Sequence, residues 1–507
     1  SQCEGPEFEG TPLPIGEGSE ACEEELEASC HLLISVKAEA GLPRGELTPT
    51  AEACGGGAGA CTTAQIPTPV FAAFEFAIFD GESTDEAANP YNQAGGHPFA
   101  LTTRIQFPRT LDNLGHEVPA GSLKNVVVNL PPGFLGNPTA AERCEEAQLA
   151  TDTCPTDSQV GITSVSASDN SSSGDYPLYN MVPPPGEAAE FGFNIENIIW
   201  VHLYAGTRPD GSVEVTVQNV SQIVPVTGSD VTFWGVPAAA AHDPQRICHP
   251  GGGSGCSSGE EEKAFLSLPT SCTGPLQWSA EAASWQAPGA FGPSGKPDLT
   301  DPNWRQASFL SHDNLGAPLG TEGCNALDYS SPATKPTISA RPTTDAADAP
   351  SGLEVDVHTP QNTDPEGLAE AHLKDTTLTL PEGLVLNPSG ANGLGACTPA
   401  QIGIDAATGA PDEEAPTCPE AAKIGTVEVQ TPLLDHTAKG AVYVATPHQN
   451  PFGSLLAIYI VVNDPLSGTL LKLAGHVQAD PQRGQLTTTV DNAPQLPFEH
   501  FKLHLKT

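Results

Sequence analysis

Apolar and polar positions alternate in short runs through most of this chain. Alternation with a period of two predicts strands with one face turned to a core. The pattern predicts strands at 70–79, 101–107, 124–130, 160–165, 179–182, 191–195, 200–205, 213–217 and 231–234, and again at 498–505. Pro209, Asp210 and Gly211 mark a hairpin turn between two of them. Between Pro138 and Cys154, the run AAERCEEAQLA has helical composition and predicts one short helix. There is no strand–helix–strand rhythm. The expected class is therefore all-β: two tandem Ig-like β-sandwich modules with short disulfide-braced helical insertions.

The division into two follows from a repeat. Residues 123–138 read LKNVVVNLPPGFLGNP, and residues 373–388 read LKDTTLTLPEGLVLNP. A Cys, a Cys-Pro pair and a Gly-bearing strand follow each copy. Cys397 matches Cys144, Cys418 matches Cys154, Tyr443 matches Tyr179, and Ala474-Gly475 matches Ala205-Gly206. Expected boundaries are an acidic Cys/Gly/Pro-rich extension over 1–67, module one over 68–236 and module two over 333–507. A Cys- and Trp-bearing linker or insertion fills 237–332, where periodicity gives no fold. Within the extension, 32–38 alternates as one isolated strand.

Thirteen cysteines change the picture. Close pairs flanked by Gly, Pro or acidic residues read as disulfides formed in an oxidising compartment. Cys22 and Cys30, Cys54 and Cys61, and Cys248 and Cys256 are such pairs. Cys144 with Cys154 and Cys397 with Cys418 occupy matching places in the repeat and are expected to bond. The odd total leaves one thiol free or bonded to another chain. The chain lacks an initiator Met and a signal peptide, so it reads as a mature or processed secreted protein.

Net charge is −42. Phosphate binding needs clustered Lys and Arg, so no nucleic-acid partner is expected. The apolar run at 455–462 is too short for a membrane span, and no membrane insertion is expected.

The repeat, with its LP-x-G strand endings and its Cys and Cys-Pro spacing, resembles tandem modules of large secreted actinobacterial proteins. It is also similar to repeat domains of bacterial surface adhesins. The resemblance implies an extracellular β-sandwich array and carries no catalytic residues. Lys124 and Lys374, equivalent in the two copies, are candidates for an adhesin-like isopeptide bond with an Asn. The plain alternative is a lysine whose stem packs on the core.

Candidate chemistry is sparse. Ser254 sits in GGGSGC, which is not a nucleophile elbow. Ser311, His312 and Asp313 are mere sequence neighbours. His500 and His504 share a strand face but lie too far apart for one ion. His242, Asp243 and His249 lie near Cys248 and Cys256, where zinc would need reduced thiols. Asp364 and Glu366 are candidates for calcium, with a solvated acidic loop as the favoured alternative. Trp278, Trp285 and Trp304 are candidates for a sugar-stacking platform. No enzyme activity and no cofactor are expected. The sequence reads best as an extracellular structural or adhesive protein at the cell surface that self-associates by strand pairing. A protein binding surface polysaccharide through the Trp-bearing region is the alternative.

Overall fold

The computed structural model describes residues 45–47, 50–54, 61–65, 68–70, 73–112, 116–168, 173–249, 253–327, 330–331, 334–384 and 393–506. Cys22, Cys30 and the strand expected at 32–38 lie outside them. The chain divides into two compact units, Ser1–Ala72 and Ala73–Thr507. In the first, β1 (Gly45–Leu47) pairs with β4 (Thr68–Val70), and β2 (Thr50–Cys54) pairs with β3 (Cys61–Gln65). The β2–β3 register sets Cys54 opposite Cys61.

The second unit is almost entirely strand. Its first half contains β5 (Ile78–Thr84), β6 (Ala100–Gln106), the small pair β7 (Arg109–Leu111) and β8 (Glu117–Pro119), β9 (Leu123–Asn129) and β10 (Leu135–Gly136). After helix α1 (Glu146–Ala150) come β11 (Gln159–Ala167), β12 (Gly174–Met181), β13 (Ala189–Ile195), β14 (Ile199–Thr207), β15 (Val213–Val217) and β16 (Val226–Trp234). Then follow β17 (Leu266–Ser267), β18 (Gln277–Ser284) and β19 (Arg305–Leu310). The second half contains β20 (Thr337–Pro342), β21 (Leu353–His358), β22 (Thr376–Thr379) and helix α2 (Pro399–Ile402). It ends with β23 (Lys423–Gln430), β24 (Ala438–Val444), β25 (Ala457–Asp464), β26 (Thr469–Ala479), β27 (Leu486–Val490) and β28 (His500–Leu505).

The first half forms an 11-stranded antiparallel sheet in the order β19-β18-β9-β15-β14-β13-β12-β11-β16-β6-β5. It curls into a barrel-like shape. Phe309 on β19 meets Phe79 on β5 edge to face at 5.0 Å, and His312 Nε2 lies 2.8 Å from Asp80. The second half forms a nine-stranded half-barrel, β20-β21-β28-β23-β24-β25-β26-β27-β22. Read from its far end, it repeats the order from β9 to β5 of the first sheet strand for strand. The repeat extends to detail. The register slips between Gln159 and Gly161 on β11, and at the matching place between Lys423 and Gly425 on β23. Cys144 bridges Met181 and Cys397 bridges Ala445, both in parallel.

The addition to the first sheet is β18 and β19, from the segment read as a separate linker. That boundary is corrected: β18 pairs with β9 over Leu123–Asn129, and β17 pairs with β10. The alternation was invisible because Ala280, Ala282 and Ala283, all fully buried, carry too little apolar bulk. The strand expected at 70–79 is also displaced. Phe74 and Phe76 pack on Phe107 at 5.0 and 5.5 Å, and β5 runs through the more polar IFDGEST.

Each module carries its helical insertion on its outer wall. In β13 every residue is buried on both faces. Phe191, Phe193 and Ile195 face inward, while Gly192 faces out against Leu149 of α1, so closely that a Cβ would collide. Glycine is the residue that lets another element approach this near. Asn180 Nδ2 anchors the insertion by donating to the carbonyls of Pro138, Ala141 and Glu142 at 3.0–3.2 Å. Disulfides Cys144–Cys154 and Cys397–Cys418 close the two insertions, as the repeat predicted. Cys248–Cys256 and Cys272–Cys324 brace the segment between the modules.

Candidate functional site: an apolar cavity between the two sheets

The inward faces of the two sheets confront each other across a seam. Arg143 is 2.7 Å from Asp435, Thr139 Oγ1 donates to Pro432 O at 2.9 Å, and Ala369 N donates to Gly95 O at 2.7 Å. Between the sheets lies a cavity of about 480 Å³. Its first wall presents Leu101, Val128, Phe191, Leu203 and Phe233. Its second presents Val355, Ile460, Leu471, Leu473 and Leu503. These are the inward members of the alternation on each strand.

The chemistry of this lining is distinctive. The chain carries 62 acidic and 20 basic residues, yet among the described residues the cavity wall contains no Asp, Glu, Lys, Arg or His. Its polar groups are Thr and Ser hydroxyls such as Thr103, Ser229, Thr376 and Thr488. An unpaired charge in such a space would cost several kcal/mol. The volume falls within the roughly 300–1,000 Å³ range of small-molecule pockets. Ile338, on edge strand β20, lines the cavity yet is 48% exposed, which places an opening along that edge.

Charge gathers instead where the β14–β15 hairpin crosses the seam. Asn129 Nδ2 donates to Glu281 Oε2 at 2.8 Å and its Oδ1 accepts from Arg208 at 2.9 Å. Arg208 also lies 3.6 Å from buried Glu214, which meets the Lys296 ammonium, and 4.0 Å from Glu413 of the second module. Burial pushes the Glu281 carboxyl up and the Lys296 amine down. Both cations already have carboxylate partners, so the cluster is not arranged to take up an anion.

The residues singled out by sequence fare differently. Trp278 is 2% exposed and packs between Phe134 and Phe309 at 5.5 and 5.6 Å. Trp304 is 3% exposed and its Nε1 donates to Ala290 O at 2.6 Å. Trp285 donates to Val220 O at 2.8 Å. For Trp278 and Trp304 the sugar platform is thus corrected, since rings buried in packing offer no face to a saccharide, while Trp285 is half-buried. The two isopeptide candidates are placed differently from each other. The Lys124 ammonium lies over the Trp285 ring, 4.9 Å from its centroid. The Lys374 side chain is 72% exposed, and its ion-pair partner is Asp375 at 3.9 Å.

Other candidates dissolve into ordinary bonding. Ser311 Oγ donates to Leu319 O, while His312 turns to Asp80. His242 is stacked between Phe99 and Trp234. Cys248 and Cys256 are bonded to each other and hold no zinc. His500 pairs with Asp356 at 3.1 Å, whereas His504 lies 3.9 Å from Glu354 and 4.0 Å from Glu428. Asp364 accepts from Glu366 N within its own turn.

The cavity itself escaped sequence reading. Alternation tells which residues face inward, but a filled core and an open one carry the same pattern. Among the described residues no helix is long and apolar enough to cross a membrane. No family model matches this chain, and comparison with curated proteins and with solved structures finds no match either.

Proposed function

We propose that this chain is a secreted, non-enzymatic protein that takes up a long uncharged hydrocarbon, such as an acyl chain, between its two facing sheets. The carrying observation is a cavity of about 480 Å³ whose lining, among the described residues, carries no charge in a protein of net charge −42. Space lined by aliphatic side chains holds water poorly and favours apolar guests. Four disulfides among the described residues fit an oxidising compartment and support secretion.

The test is titration of the purified chain with a fluorescent acyl-chain probe, together with mass spectrometry of its organic extract. Saturable binding is expected. Leu473→Asp places a carboxylate in the wall and should weaken binding roughly tenfold or more. Lys502→Ala, on the outer face of β28, should leave it unchanged. An absence of saturable binding, or equal binding by Leu473→Asp, overturns the reading.

A second reading retains self-association by strand pairing, and one observation favours it. In module one β9 is paired on both sides, by β15 and β18. Its equivalent β22 is paired, among the described residues, by β27 alone. An open edge is a template for another strand, here one from a second copy. Light scattering across a concentration series tests it: growth in particle mass supports assembly, and a constant monomer mass rejects it.

A further inference from the structure

We propose that His358, Glu499 and His500 form a binding site for a divalent transition-metal ion of the zinc type on the outer wall of the half-barrel. The register of β21 and β28 sets His358 directly opposite His500. Their rings meet edge to face with centroids 4.6 Å apart. Glu499 immediately precedes His500, and one ligand atom from each residue lies within 4.8 Å of the other two. Metal bonds of about 2.0–2.2 Å bring such atoms together with small side-chain rotations.

Two further observations point to an ion. The Nδ1 atom of His358 is buried and has no hydrogen-bond partner. A buried polar atom left without a partner is costly, and coordination would satisfy it. His500 Nδ1 lies 3.1 and 3.2 Å from the two carboxylate oxygens of Asp356. A carboxylate behind a histidine fixes the ring and its tautomer, and leaves Nε2 as the lone pair for a metal.

The backbone that carries these groups is tied down. Glu499 N donates to Gln430 O at 2.8 Å, and Glu499 O accepts from Thr359 N at 3.0 Å. Two imidazoles and one carboxylate suit zinc-like ions better than calcium or magnesium, which prefer oxygen ligands throughout. Three protein ligands leave a fourth position open to water. Next to the site, Pro497 and Phe498 line the cavity. An ion here would pin the start of β28, and with it that part of the cavity wall.

The experiment uses the full chain, stripped by a chelator and titrated with zinc against a chromogenic competitor. One molar equivalent should bind, and the thermal midpoint should rise with zinc concentration. His358→Ala/His500→Ala should lose that equivalent, and Asp356→Asn, a positioning change, should weaken it by roughly 10–100-fold. Glu499→Gln, at an exposed position, supplies the same test if the double variant does not fold. Lys502→Ala, on the same face, should bind as the parent does. The proposal is overturned if the parent binds no stoichiometric ion, or if Glu499→Gln and the histidine variant bind equally well, which would assign the ion to scattered carboxylates.

Discussion

Gly211, at the turn between β14 and β15, has φ +82° and lies so close to Pro494 of the second module that a side chain at 211 would strike the proline ring. The hairpin signalled by Pro209, Asp210 and Gly211 therefore also sets how near the two modules approach. Gly211→Val should cost about 1–2 kcal/mol for the left-handed backbone and a further 1–3 kcal/mol for the collision. Because Pro494 lines the cavity, probe affinity should fall along with the urea midpoint. Loss of stability with unchanged affinity would mean that the contact does not shape the cavity.

Trp278 joins β18 to the barrel through Phe134 and Phe309. Trp278→Ala should destabilise the chain by about 3–5 kcal/mol, the usual range for emptying so large a buried volume. Binding to polysaccharide columns should not change. A variant with parental stability but altered retention on such a column would restore the sugar-binding reading.

Cys144–Cys154 and Cys397–Cys418 enclose separations of 10 and 21 residues. Opening either by Cys→Ala replacement of both partners should lower stability by roughly 2–4 kcal/mol. Peptide mapping without reduction should recover both pairs, together with Cys248–Cys256 and Cys272–Cys324. A bond between Cys144 and Cys397 would contradict the module architecture.

Acid should destabilise the fold through two histidines whose surroundings resist their charging. Burial holds His242 and His372 at about 4, against an ordinary 6.5, with Arg246 adding to the effect on His242. Below pH 6.5 the unfolded chain takes up protons that these folded sites refuse, so their contribution is full above 6.5 and is lost as pH falls towards 4. Each represents roughly 3 kcal/mol across that window. His202 and His436, raised chiefly by hydrogen bonds to Glu190 and Asp464, act oppositely and stabilise the fold at the acid side. Denaturant midpoints at pH 7 and 4.5 measure the sum, and His242→Phe should shrink the acid loss. An unchanged loss in that variant would contradict the assignment to His242.

Duplication, strand content and two disulfides were legible because they rest on local pattern: LP-x-G strand ends, alternation, and Cys spacing. The limits were equally physical. Matching Ala474 to Ala205 by sequence is three residues out of register, because the strand pairings set Val477 in the place of Ala205. Ala205 faces the inner core, while Ala474 packs outward with Cys397 and Tyr459. In a strand, a slip by an odd number of residues exchanges the faces. The β18 strand was hidden by its alanines. The His358–Glu499–His500 group was hidden because strand pairing, and not sequence proximity, brings β21 against β28.

The late place of β18 and β19 in the chain delays the covering of the β5 edge during synthesis. The β5 edge ends at Thr84, yet the side chains that cover it, Phe309 and His312, lie more than two hundred residues later. At roughly 5–20 residues per second of synthesis, that edge waits many seconds on the ribosome for its cover. Until then the nine strands from β9 to β5 have the same complement and order as the half-barrel of the second module. That arrangement is thus a stage through which module one passes, and a protease or holding chaperone that acts on open sheet edges would meet its β5 edge only while the chain is young.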